Sequence, residues 1–577
     1  MESEHSSPRQ FNFWVRLLPW LVSLTALGGL MLYIAALLLT TEVWDDSLMF
    51  VRYAHNVLTY HAISWNGAQP TYGLTSLAHL LLVIPFADAF SNTSTAAAAA
   101  STLGFLLFLI ALYFLIRACA KDARGAAPLC LAIALTAFAL GRDSLGAIVT
   151  SGMDTMTGVA YLCAYLALVA HFAQSGRVQK RSVFVSIGIV GGLAFLVRPD
   201  LLIYSALIPF SLMIWSDDAM LRRNARVMLG TTLATALVLM GLAWAYFGTP
   251  LPLPFYAKSG LLYGPTLALR NTFVPILELI THIDAFALLW LALPAALIVW
   301  RKNIFRRGPH ALEIGISLCI VAVTIYFLFF VIQIMPYQGR FYYPVLPGLI
   351  ALGAMLVARA WNYLQRSHDA SLLRSVQIGV CVVLAALLFA PSIEGLERAV
   401  YAVAKDRSEA RLVLRGTEIE GYSIHPGSQA VWPCLDTVNG LPASVSVATT
   451  EVGLPSALSP LRPILDLAGL NNTQIALQHA NIAQAVENMQ VDVVYLPTER
   501  YYPEMRSVLL NDPQFSEHYT LYSPASPGAF TDTAVRKGSL AAAPMAACMQ
   551  KFSAAYAGVE AQPAGTYYLT LPFPVSD

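Results

Sequence analysis

The sequence predicts a multi-span α-helical membrane protein, with about eleven transmembrane helices, that carries a C-terminal α/β domain outside the bilayer. Three observations lead there. Of 577 residues, 57% are hydrophobic and only 12% are charged, with a mean hydropathy of +0.60. Soluble domains carry about 25% charged residues, so lipid must surround much of this chain. Apolar runs of the roughly 17–25 residues that cross a bilayer recur up to about residue 391. After that point they stop, and short strand-like pieces separated by turns replace them.

The apolar runs, in order, are 17–39, 98–117, 126–141, 157–173, 183–197, 200–215, 227–247, 274–300, 311–335, 342–358 and 376–391. The first is longer than the core of a signal peptide and lacks a small-residue cleavage site, so it reads as an uncleaved anchor. Only Arg198-Pro199-Asp200 separates 183–197 from 200–215, which makes these either one hairpin or two tilted spans. Orientation follows from Lys and Arg, which gather on the cytoplasmic side. Six basic clusters (Arg9/Arg16, Arg117/Lys121/Arg124, Arg177/Lys180/Arg181, Arg222/Arg223/Arg226, Arg301/Lys302/Arg306/Arg307 and Arg359/Arg366/Arg374) alternate with basic-poor loops. All six are cytoplasmic only if Leu74–Phe86 does not cross. That segment is too short to do so, and it reads as a re-entrant or interfacial helix. The N-terminus is then cytoplasmic. Loops 40–97, 142–156, 248–273 and 336–341, the Arg198-Pro199 turn and everything after Pro391 face outward.

Residues 1–391 thus read as the membrane domain and 392–577 as a soluble domain on the outer face. Strand-like pieces fall at Val445–Ala448, Val491–Leu496, Tyr519–Tyr522 and Tyr567–Leu571, with turns at Pro426-Gly427 and Asn439-Gly440. The seven cysteines include no C-x-x-C pair. Cys119, Cys130, Cys163, Cys319 and Cys381 lie in or beside apolar runs, where a cysteine acts as a small hydrophobe. Cys434 and Cys548 lie in the polar part and can pair or stay free, since sequence does not show proximity. A net charge of +1 gives no broad basic surface for nucleic acid.

The first outer loop holds the densest chemistry. Asp45 and Asp46 stand just after the first span, and acids at a membrane boundary are costly unless paired or used. Adjacent carboxylates repel, which favours a shared proton, a cation or a nearby arginine. Arg52, about two helical turns on, is a candidate partner. The plain alternative is an N-cap on an interfacial helix. His55 and His61 suggest a metal, but without further ligands in sequence they fit equally as interfacial histidines.

Taken in order, Asp45-Asp46, Arg52-Tyr53-Ala54-His55-Asn56, Trp65-Asn66-Gly67, Pro70-Thr71-Tyr72-Gly73 and Thr75-Ser76 resemble the first periplasmic loop of bacterial GT-C-type glycosyltransferases. The resemblance points to the arabinofuranosyltransferase family that uses a polyprenyl-phosphate sugar donor. Ser151-Gly152-Met153-Asp154, Arg198-Pro199-Asp200, Thr249–Lys258 and Gln338-Gly339-Arg340-Phe341 resemble later elements of that family in the same order and on the same side. Thr449–Gly453 and Ile464–Leu470 add family-like pieces in the outer domain. Nearly the whole chain is covered, and the ordered set carries the likeness. The chain departs where Thr71-Tyr72-Gly73 stands for the family's frequent Val-Glu-Gly, and Tyr60-His61-Ala62 for a glycine pair.

The resemblance implies an enzyme of the bacterial inner membrane, its C-terminal domain periplasmic, that joins an acceptor hydroxyl to an anomeric carbon while polyprenyl phosphate leaves. A general base must take the hydroxyl proton. Asp45 is the first candidate by position in the motif, with Asp46 and Asp154 as further carboxylates. Asp46 and Asp154 are also candidate ligands for a divalent cation (Mg, Mn or Ca). The leaving phosphate needs positive charge, for which Arg340, Lys258 and Arg52 are candidates. Tyr53, Asn56, Trp65, Asn66 and Tyr256 are candidate substrate contacts. With Trp44 and Tyr72, these aromatics fit a sugar subsite or an interface belt. Arg340 also fits an interface anchor, Lys258 a solvated loop charge and Arg198 a structural pair with Asp200. The outer domain is expected to bind a cell-envelope glycan or glycoprotein acceptor.

Two other classes compete with the enzyme. A transporter or flippase for lipid-linked glycans would use broken helices near the midplane, and Arg198-Pro199-Asp200 is the one candidate break. A non-catalytic assembly subunit would not need the acidic pair.

Overall fold

The computed structural model describes residues 8–40, 43–174, 180–259, 273–301, 306–333, 337–366, 370–405, 432–499, 502–523 and 532–556. A helical bundle occupies the first part: α1 (Pro8–Thr40), α2 (Asp45–Tyr60), α3 (Leu77–Ala89), α4 (Thr93–Cys119), α5 (Ala127–Leu140), α6 (Arg142–Thr150), α7 (Thr155–Ala173), α8 (Arg181–Val197), α9 (Leu202–Trp215), α10 (Ala219–Phe247) and α11 (Leu253–Ser259). It continues through α12 (Val274–Ala285), α13 (Ala287–Trp300), α14 (Ala311–Phe329), α15 (Leu346–Arg366) and α16 (Ala370–Lys405). Among the described residues, seven helices are long and apolar enough to cross a membrane. The count rises to nine if the bent pairs α5–α6 (80°) and α12–α13 (94°) are each one span. The shorter α8 and α9 supply the remaining two predicted runs. The segment expected to be interfacial is α3, of 13 residues.

Small residues let the helices approach where lipid supplies no hydrophobic drive. Along α8, the Thr232 hydroxyl of α10 donates to the Gly188 carbonyl at 3.1 Å, and a Cβ at Gly192 would lie 2.8 Å from the Thr232 backbone carbonyl oxygen. The two bends also touch. A Cβ at Gly141 would lie 2.5 Å from the Ala285 carbonyl oxygen.

The last helix does not stop at 391, where hydropathy falls. It runs through Pro391 to Lys405, because its final turns are tied down by polar contacts. Glu394 pairs with Arg142 and with Arg398.

The C-terminal domain is a five-stranded sheet: β1 (Val447–Thr449), β2 (Ile464–Asp466), β3 (Val493–Tyr495), β4 (Tyr519–Tyr522) and β5 (Thr533–Arg536), in the order β2-β1-β3-β5-β4. The pairs β1–β2 and β1–β3 are parallel, and β5 pairs antiparallel with both β3 and β4. The predicted strands fall on β1, β3 and β4. The piece 567–571 lies outside the described residues. Neither β2 nor β5 shows in sequence. Residues alternate between two cores, as pleating requires. Ala448, Leu465 and Val494 face Ile475, Val486 and Leu509. Val447, Ile464 and Val493 face Phe50, Tyr53 and Trp65 of the first loop. The loop after α1 and the C-terminal domain therefore share one core. Cys434 and Cys548 form a disulfide, Cα to Cα 6.1 Å.

Candidate active site

The site lies where α2 meets the C-terminal domain, and hydrogen bonds fix that junction residue by residue. Asp45 is the first residue of α2 and is buried. Its carboxylate accepts the backbone N–H groups of Gly453 (2.9 Å) and Leu454 (2.6 Å). These open the helix α17 (Gly453–Leu458). Gly453 is required, because a Cβ there would collide with the Asp45 backbone carbonyl. Burial, with the Asp46 charge adding to it, pushes the Asp45 carboxyl up to about 7 against the two N–H bonds. Burial likewise raises Asp466 to about 7, and pushes Glu451 well above the carboxylate range with Asp45, Asp46 and Asp466 adding to it.

Arg52 and four of the candidate substrate contacts, Tyr53, Asn56, Trp65 and Asn66, lie at the same junction. Arg52 is 1% exposed. It donates to the Trp65 carbonyl (2.7 Å), Asn66 Oδ1 (2.8 Å) and the Arg462 carbonyl (2.8 Å), with its guanidinium 4.5 Å from the Trp65 ring centroid. Asn66 borders strand β2 through both its amide and its carbonyl oxygen at Ile464. The indole of Trp65 donates to the Ile464 carbonyl at 2.9 Å, and Asn56 donates to the Ser64 and Trp65 carbonyls. The Tyr53 hydroxyl donates to Asn471 at 2.9 Å and accepts from the Gly73 N–H. In this structure Arg52, Tyr53, Trp65 and Asn66 bond across the junction to the C-terminal domain, while Asn56 braces the first loop from within through Ser64 and Trp65.

Asp46 turns the other way. Its side chain stays 22% exposed, and Oδ2 meets Arg340 Nη2 at 3.1 Å. The arginine partner of the acidic pair is therefore Arg340 and not Arg52, brought 294 positions along the chain. The Arg340 side chain is only 7% exposed, its guanidinium lies over the rings of Trp44 (5.6 Å) and Phe341 (5.0 Å), and its Nη1 is buried without a hydrogen-bond partner among the described residues. An unpaired buried guanidinium nitrogen is costly unless something anionic meets it. Half-buried Lys258, on α11, belongs to the same field. Burial lowers its ammonium to about 8, opposed by Asp46 and reinforced by Arg340 and Arg198. Asp154, at the head of α7, lies 3.8 Å from Arg198 Nη1, while Arg198 Nε holds Asp200 at 3.1 Å. The structural pairing of Arg198 with Asp200 is thus present, and it reaches Asp154 as well.

Solved structures that resemble this chain include two of ArnT. ArnT from Cupriavidus metallidurans bound to undecaprenyl phosphate matches with a TM-score of 0.52 and 15% identity, over 90% of this chain and 98% of that one. Its apo state matches at 0.51 and 15%, over 89% and 97%. The chain has a GT-C fold. No family model and no curated protein matches it.

Among the candidates, Asp46, Arg340 and Lys258 are coupled, Asp154 joins them only through Arg198, Trp44 lies under the Arg340 guanidinium, and Tyr256 stands two residues before Lys258. Tyr72 is buried, stacked on Phe247 at 4.4 Å. His61 caps the end of α2 with a left-handed φ of 54°, and among the described residues no group of three or more His, Cys, Asp or Glu could hold a metal. Asp46 and Asp154 each face a guanidinium where a cation would have to sit, so the donor set does not fit a divalent-cation site. Glu278 was not singled out from sequence, and Glu451 stood within the Thr449–Gly453 piece without a role of its own. Glu278 carried a usable signal, as an acid inside the apolar run 274–300.

Proposed function

We propose that this chain is an integral-membrane glycosyltransferase that moves a sugar from a polyprenyl-phosphate donor to an acceptor hydroxyl on the outer face of the bacterial inner membrane. The observation that carries it is the Asp46–Arg340 pair, a partly exposed carboxylate beside a buried guanidinium with one nitrogen unmatched. Asp46 takes the hydroxyl proton as the new bond to the anomeric carbon forms. Arg340, with Lys258, meets the negative charge that develops on the departing phosphate. Asp45 serves as the latch that seats the outer domain, and so sets where Asp46 stands. Asp154, held by Arg198, shapes the wall of the site. A neighbour of the same fold bound to undecaprenyl phosphate supports a lipid-phosphate donor.

Arabinofuranose as the sugar, and a cell-envelope glycan or glycoprotein as the acceptor, rest on the sequence resemblance alone. The disulfide between Cys434 and Cys548 supports a periplasmic outer domain, since such bonds persist in oxidising compartments. The two bent helix pairs are breaks that a transporter would also have, but both sit against the Arg340 turn and serve the same site. The test is sugar transfer from a polyprenyl-phosphate donor by membranes holding the wild type or Asp46→Asn. Loss of transfer in the variant supports the enzyme. Full transfer without the Asp46 carboxylate refutes this mechanism.

A further inference from the structure

The two bent helix pairs meet at one turn, and that turn precedes Arg340. Gln338 and Gly339 are both left-handed, with φ of 54° and 66°. The first is an uncommon conformation for a residue with a side chain, so it persists only if the surroundings hold it. Two contacts do so. Ser144, on α6 of the first bent pair, donates its hydroxyl to Gln338 Oε1 at 2.9 Å. Glu278, on α12 of the second, accepts the Gly339 N–H on Oε2 at 2.6 Å. Gly339 also packs directly on α12, where a Cβ would lie 2.8 Å from the His282 Cβ. The bends brace each other at Gly141 and Ala285. An acid in an apolar helix is expensive, and this one is used on the backbone of the turn that aims Arg340.

We propose that Glu278 is a positioning residue, which fixes the Gln338–Gly339 turn and so holds the Arg340 guanidinium in the slot for the donor phosphate. The proposal rests on the phosphate role given to Arg340 above, and the experiment separates the two. The probe is undecaprenyl phosphate, titrated into the purified full-length chain in nanodiscs. Arg340→Ala comes first: wild-type affinity there overturns the phosphate role, and this proposal with it. If Arg340→Ala weakens binding, Glu278→Ala is expected to weaken it about tenfold or more, since a misplacement of about 1 Å costs up to about a hundredfold.

Glu278→Gln keeps an oxygen for the Gly339 N–H and is expected to stay within a few-fold of wild type. Adding Glu278→Ala to Arg340→Ala is expected to cost nothing further, because the first acts through the second. Wild-type affinity in Glu278→Ala, equal losses in the Ala and Gln variants, or a fully additive double variant overturns the proposal. If Glu278→Ala does not fold, Ser144→Ala decides on the other arm. A clear weakening with Glu278→Gln near wild type supports the clamp, and wild-type affinity in Ser144→Ala refutes it.

Discussion

Replacing Asp46 by Asn separates chemistry from architecture. The substitution keeps the volume and removes the charge that faces Arg340 at 3.1 Å. General-base catalysis contributes typically 10²–10⁴-fold, which at about 1.36 kcal/mol per tenfold is roughly 3–5 kcal/mol of barrier. That loss should fall on kcat. Donor KM should hold or drop, because the buried Arg340 guanidinium loses its counter-ion and is left freer to hold phosphate. Asp45→Asn should behave differently. Its amide can accept from only one of the Gly453 and Leu454 N–H groups, leaving the other unmatched at about 1–3 kcal/mol. That cost loosens the outer domain before it touches the reaction. The assay is the initial rate of transfer over a range of donor and acceptor, alongside limited proteolysis of the outer domain. Asp46→Asn retaining more than about a tenth of wild-type kcat would refute the assignment. So would Asp45→Asn losing as much while its outer domain stays protected.

Three further outcomes follow from the same geometry. Burial lowers Lys258 to about 8, so its charge is complete below that pH and is lost above it. Donor affinity should be flat to about pH 8 and then fall by up to about tenfold per unit. Lys258→Arg should remove the fall, and a flat wild-type profile to high pH would count against the role. Asn66→Ala removes the hydrogen bonds that tie the first loop to Ile464 and the bond that orients Arg52 within the loop, and Gly453→Ala forces a collision with Asp45. Each should cost about 2–4 kcal/mol, read as faster hydrogen exchange in β2; unchanged protection would disprove the junction's role. Removing residues 432–577 should abolish transfer with any acceptor, because Gly453 and Leu454 leave with it. A truncated, correctly inserted chain that loses acceptor use alone would restore the expectation from sequence, a detachable acceptor-binding module.

Sequence by itself determined the membrane class, the eleven apolar runs and the neighbourhood of the site. Those features are local: a run of 20 apolar residues partitions into lipid wherever it occurs, and Asp45-Asp46, Lys258 and Arg340 are charged residues set in otherwise apolar or turn-rich surroundings. The roles within that set were another matter. Asp45 and Asp46 are neighbours in sequence with identical side chains, and only the fold shows one turned into Gly453 and Leu454 and the other toward Arg340. Arg52 looked like the partner of the acidic pair by its spacing, yet its partners Trp65, Asn66 and Arg462 were decided by how the outer domain closes on the first loop. The core that joins the two parts arose the same way, since Phe50, Tyr53 and Trp65 of the first loop pack with Val447, Ile464 and Val493 of the sheet. A hydrogen bond or a shared core between residues some 400 positions apart leaves no periodicity or spacing to read, because either partner alone satisfies the ordinary rules of its own segment.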